Sequence, residues 1–322
     1  VFCFSGVCLR AQVLLPTPET AFEKQHHFNP EVIKSKNIKR ITYDIIDKKD
    51  FEVAVENSTT ESYDFDKTGK LLRYYYTIVV KTIEREIIIP ARYKGKRKIK
   101  REEKKIVSFN IYDTVSTSYF FSGNNLILKR YFDGINYYES RYYRYNNKNQ
   151  LIKELRYKET NNSKDKSVFI LANQLLLSED SFQYQTFSSK QLKCIYFNSE
   201  NRPYKEVITN YDSIGRKKIE YENYIAASWI KQEHSYGYSK NHLVMAKFIG
   251  NANNDIELKI TYEYNALNNE LYSEKHFKNN LLVKEISYIT DSNKGLLNSF
   301  IIRDPINKTI RIIKLKYEFY SL

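Results

Sequence analysis

One tryptophan, one methionine, six prolines, nine glycines and three cysteines are all that 322 residues hold of these types. Each scarcity closes off a class of protein. Two of the cysteines, Cys3 and Cys8, sit at the start of the chain, so neither a disulfide framework nor a four-thiolate zinc site can be laid out. The few glycines lack the spacing of a Gly-x-Ser-x-Gly elbow, a phosphate-binding loop or a dinucleotide fingerprint. Charge interrupts every segment, and no run of eighteen apolar residues is left to cross a bilayer as a helix.

What is abundant points the other way. With 42% hydrophobic residues the chain can bury a core, which excludes disorder over most of its length. Twenty-nine Tyr and 18 Phe favour strands over helices. The net charge of +14 raises nucleic acid as a partner. Its densest source, Lys94 to Lys105 with Lys96, Arg97 and Lys98, reads instead as a solvated strand pair or loop, because Lys and Glu alternate elsewhere. Nucleic acid is therefore not the expected partner, and an anionic envelope surface is.

The opening residues Val1 to Ala11 resemble the end of a secretory signal, with Ala11-Gln12 as the cleavage position. Its removal would leave Cys194 as the last thiol, so an exported chain would depend on core area for stability. Residues 12–40, with Pro16, Pro18 and Pro30, read as an extended leader, and His26-His27 within it as a surface pair.

From there a short unit keeps returning. Phe65-Asp66-Lys67-Thr68-Gly69, Tyr145-Asn146-Asn147-Lys148-Asn149, Phe197-Asn198-Ser199-Glu200-Asn201 and Tyr211-Asp212-Ser213-Ile214-Gly215 share one pattern. An aromatic precedes Asp or Asn, two free positions follow, and Gly or Asn closes. The carboxylate or amide can bond the backbone two residues on, and the closing residue tolerates positive φ. The structural turn residues are thus Asp66, Gly69, Asn146, Asn149, Asp212 and Gly215. Looser copies start at Phe121, Phe132, Tyr238, Tyr264, Phe277 and Ile289. Flanking segments alternate: Ile219 and Tyr221 share one face and Lys218 and Glu220 the other, which predicts a buried apolar face and a wet polar one. The predicted fold is all-β, an extended or curled antiparallel sheet of consecutive hairpins over residues 41–322. Insertions interrupt it near 79–111 and 160–193, where Val168 to Leu177 fits strand or helix equally.

The Tyr-Asp-x-x-Gly pattern, strict at Tyr211 to Gly215, resembles the YD repeats of Rhs-type secreted bacterial proteins, with a fainter likeness to MORN-type hairpin repeats. The resemblance covers roughly residues 60 to 320. It implies an extracytoplasmic β ribbon or curled sheet that serves as a shell or an adhesive surface. Asn takes many of the turn positions that Gly holds in such repeats.

No constellation carries evident chemistry. The histidines lack carboxylates or thiols at ligand spacing, although His234 and His242 could meet across a hairpin. No catalytic residue, metal site or cofactor is predicted. The candidate binding surface combines Tyr74, Tyr76, Tyr138 and Tyr143 with Lys96, Arg97 and Lys98, since exposed Tyr beside cations suits sugar stacking or protein contact. The function expected is that of a noncatalytic exported repeat protein binding an envelope protein or glycan, in the periplasm, at the cell surface or outside. A polysaccharide hydrolase built on a carboxylate pair is the alternative. An outer-membrane β-barrel is the further one, opposed by the charge density of Ile152 to Lys158 and Lys217 to Glu222.

Overall fold

A computed structural model describes residues 13–23, 25–89, 92–94, 97–100, 103–165, 168–250, 256–291 and 295–321. The strands run β1 (Ile38–Lys49), β2 (Val55–Phe65), β3 (Leu71–Ile89), β4 (Arg92–Lys94), β5 (Arg97–Lys100), β6 (Glu103–Ser122) and β7 (Asn125–Phe132). They continue as β8 (Tyr138–Tyr145), β9 (Leu151–Asn161), β10 (Leu171–Ser188), β11 (Gln191–Phe197), β12 (Pro203–Tyr211), β13 (Lys217–Tyr224) and β14 (Lys231–Ser239). The last are β15 (His242–Gly250), β16 (Ile256–Tyr264), β17 (Leu271–Lys278), β18 (Leu281–Asp291), β19 (Leu296–Asp304) and β20 (Thr309–Phe319). Of the segment at 168–177, open between strand and helix in the sequence, residues 171–177 form the start of β10.

Each strand pairs antiparallel with the next, and β3 pairs with β6 around the small β4–β5 hairpin. The sheet then closes, because β20 pairs with β1 over Ile38↔Phe319 to Lys49↔Thr309. The result is an 18-stranded barrel of consecutive hairpins. Closure leaves its body without an edge strand, the hazard of an open sheet.

The recurring turns share one hydrogen-bond pattern. Asp66 Oδ1 accepts from the backbone N–H of Thr68 (2.8 Å) and Lys70 (2.9 Å), and Asp212 Oδ1 from Ile214 (3.0 Å) and Arg216 (2.9 Å). Asn146 does the same with Lys148 and Gln150, and Asn198 with Glu200 and Arg202. The closing residues take positive φ: 89° at Gly69, 85° at Gly215, and 57° at both Asn149 and Asn201. Asn replaces Gly here because it tolerates the left-handed region better than other side chains.

Residues 13–37 do not form an extended leader. They fold back on themselves through a Leu14–Phe28 bridge and end in helix α1 (Pro30–Ser35), which Asn29 caps by accepting from Glu31 N–H (3.1 Å). Their contacts fix their place. Gln25 accepts from Tyr119 of β6, Glu19 pairs with Lys217 of β13, and Phe22 meets His234 and Phe248 of β14 and β15. Phe28 meets Tyr63 and Phe65 of β2. Strands so far apart around a closed barrel share only its lumen, so this segment fills the lumen. The main apolar core is accordingly inside, between residues 13–37 and the inward side chains of β14 to β20, β1 and β2.

The β3–β6 hairpin outruns the barrel. It pairs as far as Ile89↔Glu103, whereas β2 accompanies β3 only to Tyr76 and β7 meets β6 only from Ser116. Residues 79–89 and 103–111, read from the sequence as part of an insertion, lie in this two-stranded ribbon.

Candidate binding lumen

Strand alternation places every second side chain in the lumen, and the leader contacts say which set that is. On β13 the inward set includes Glu220, which accepts from Thr209 (3.0 Å), so Ile219 and Tyr221 face outward and Tyr221 is 37% exposed. This reverses the expected burial. The lumen supplies charged partners for Glu220, and the outer wall tolerates isolated apolar groups.

From β8 to β14 the lumen face is charged and paired. Arg156 donates to both carboxylate oxygens of Glu139 (2.7 Å each), Arg141 to Glu154 (3.3 Å) and Lys205 to Glu222 (3.0 Å). His234 lies 3.7 Å from Glu222, and burial lowers its pKa against that carboxylate's pull. It stands opposite Phe248, while His242 stands opposite Ser239, so the two histidines do not meet; the short Lys240-Asn241 turn sets that register. Cys194 also faces inward, and burial pushes its thiol up to about 11, which leaves it protonated and unreactive.

The outer wall is also polar. Lys247 pairs with Glu257 (2.8 Å), Lys275 with Glu263 (2.9 Å) and Lys316 with Asp44 (2.6 Å). Lys153–Glu179, Lys193–Glu206 and Arg40–Asp64 extend the pattern around the barrel. One outward cluster is buried beneath Phe169. Glu159, 1% exposed, accepts from Arg130 (2.8 Å), Tyr142 (2.6 Å) and Ser140, while Phe169 covers the Arg130 guanidinium at 3.6 Å. Sequence reading missed this cluster. Its signal was an acid completing the Leu155, Tyr157 register.

The expected Tyr surface is divided between the two sides of the wall. Tyr74, Tyr76 and Tyr143 lie on the lumen side, whereas Tyr138 is buried on the outer side, stacked on Phe132 (4.4 Å) and beside Phe169. A single hairpin register cannot reveal which face of a strand points into a barrel. Lys96 lies outside the described residues, and Arg97 and Lys98 are placed by their backbone, on β5.

His26 is a lumen residue and no part of a surface pair. Its ring lies 4.8 Å from Phe300, its Nδ1 is 3.3 Å from the Tyr43 hydroxyl, and burial depresses its pKa to about 4. Nearby, Glu274 pairs with His276 and accepts from Tyr288 (2.8 Å). Burial works to raise this carboxyl's pKa, but those two partners hold it below the usual value.

Two openings flank the leader. One, of about 780 Å³, lies at the end carrying the Lys49–Val55 and Asp304–Thr309 turns, with His276, Lys284 and Arg311 in its wall. The other, of about 570 Å³, lies between α1 and the Gly69 turn. Among the described residues no group of three His, Cys, Asp or Glu is placed to hold a metal, and no helix is long and apolar enough to cross a membrane.

No protein-family model and no curated protein matches this chain. Among solved structures, a porin-like protein from Bacteroides uniformis aligns at 10% identity over 88% of this chain and 97% of its own, with a TM-score of 0.38. A porin-like protein from Bacteroides vulgatus gives 9%, 87% and 98%, with a TM-score of 0.30. A chain of the TcdB2-TccC3-Cdc42 structure gives 12% identity over 81% of this chain and 14% of its own, with a TM-score of 0.28. Likeness at this level assigns neither family nor activity.

Proposed function

We propose that this chain is a noncatalytic, exported β-barrel that stands clear of lipid and serves the cell envelope as a structural or binding module, its lumen stoppered by residues 13–37. The outward ion pairs carry this reading. A lipid-facing band must be apolar, because a charge placed at its middle costs about 2–4 kcal/mol. Here Lys247–Glu257 and Lys275–Glu263 sit on adjoining outer strands β15 to β17. The lumen carboxylates named above are each engaged by a cation or a hydroxyl, which favours a structural role over a free catalytic pair. The Asp-started turns are read as degenerate YD units.

A second reading, an outer-membrane barrel, is favoured by closure on an even number of antiparallel strands. Fractionation of the producing cell's envelope separates the two. Release by alkaline carbonate without detergent is expected for the first; retention until detergent is added establishes the second.

A further inference from the structure

The larger cavity holds charge that the fold does not use. Arg311 is occupied by Asp47, through Nε (2.6 Å) and Nη2 (3.1 Å). The Asp304 carboxylate closes its own turn, accepting from Ile306 and Asn307. His276 is held by Glu274. Lys284, directly opposite His276 in the β17–β18 register, makes no hydrogen bond or ion pair among the described residues. Lys49 at the rim also lacks such a partner there, whereas Lys48 shares the outward face of β1 with Asp44; Glu52 and the ionised Asp304 stand against the ammonium groups of Lys49 and Lys284. Burial lowers the Lys284 pKa, with Glu274 opposing, so an anion brought to it would relieve a real desolvation cost. The rest of the wall is aliphatic, from Val53, Val55, Val283 and Ile302.

We infer that this cavity binds a fatty-acid-type carboxylate, its head group met by Lys284 and Lys49 and its chain laid on the aliphatic wall. The volume, about 780 Å³, lies within the ordinary range for small-molecule sites. Lysines act as point charges, and the one Arg fork in the lining is already taken by Asp47, which suits a monoanion better than a phosphate. The cavity is inside the wall, so the inference stands whether the outer face meets water or lipid.

Calorimetry on the full chain with dodecanoate below its micellar concentration tests it, in amphipol if detergent-free extraction fails. One molecule should bind per chain, and dodecyltrimethylammonium, with the same tail and opposite charge, should not. Lys284→Met should weaken dodecanoate binding by about tenfold or more, while Lys193→Met on the outer wall should leave it unchanged. Absence of dodecanoate binding, equal binding of the two amphiphiles, or an unaltered affinity in Lys284→Met would each overturn the inference.

Discussion

From β14 round to β2 the lumen face of the wall is mainly Tyr, Phe, Ile, Leu and Ala closed against residues 13–37, with Glu274, His276 and Lys284 as a polar island. From β8 to β13 the same face carries Glu139, Arg156, Arg141, Glu154, Lys205 and Glu222, held in pairs. The first region is stabilised by removing apolar surface from water, a non-directional effect that tolerates no void. The second balances desolvation against pairing and gains little net energy per pair. One barrel thus combines a packed half with a wet half, and the leader belongs to the packed one.

The sharpest break in that comparison is Phe300→Ala. Phe300 is fully buried and touches His26, Tyr43 and Tyr288, so the cavity should cost about 3–5 kcal/mol in urea unfolding. Acid is the next largest probe. Burial keeps His26 neutral in the fold, with the charge of Glu274 opposing and Lys284 and His27 assisting. Its folded pKa of about 4 lies below the ordinary 6.5, so the unfolded chain binds the extra proton. This contribution is whole above pH 6.5 and is lost as pH falls toward 4. The ring is partly exposed toward the opening beside α1, and solvent screening there trims the effect to about 2 kcal/mol. His26→Gln should flatten stability between pH 6.5 and 4; an unchanged slope would assign the acid response to other groups.

Two glycines of the same turn type refine the contrast. At Gly215 an added Cβ meets nothing within 4 Å, so Gly215→Ala should cost only the left-handed backbone penalty, about 1 kcal/mol. At Gly69 the same Cβ would fall 2.0 Å from the Pro30 carbonyl oxygen, inside the leader. Gly69→Ala should therefore cost at least about twice as much and raise hydrogen exchange in α1, an effect absent from Gly215→Ala. Smallest of all, Lys193→Ala on the outer wall should change stability by less than about 1 kcal/mol, and less still in high salt.

Much of the hairpin series was legible because each Asp or Asn turn is a local device: the residues that make it lie within five positions of one another. Closure was not, since pairing Ile38 with Phe319 leaves no trace in any local pattern. Sidedness failed for the same reason. Alternation at Ile219 and Glu220 shows that two faces exist, but only a closed wall decides which of them is the lumen. Alternation likewise puts Tyr138 and Tyr143, five apart on β8, on opposite faces, but only closure decides that Tyr143 is the one in the lumen. His26 was misplaced on the surface because nothing local shows that residues 13–37 have a cavity to enter.

The central claim, that the outer wall meets water, is tested most directly by a nitroxide at Lys247→Cys in a chain whose three native cysteines are replaced by serine. Measured in envelopes of the producing cell, the label is expected to be quenched freely by a water-soluble nickel chelate. A label reached by oxygen yet shielded from nickel would place the Lys247–Glu257 face in lipid and contradict the account.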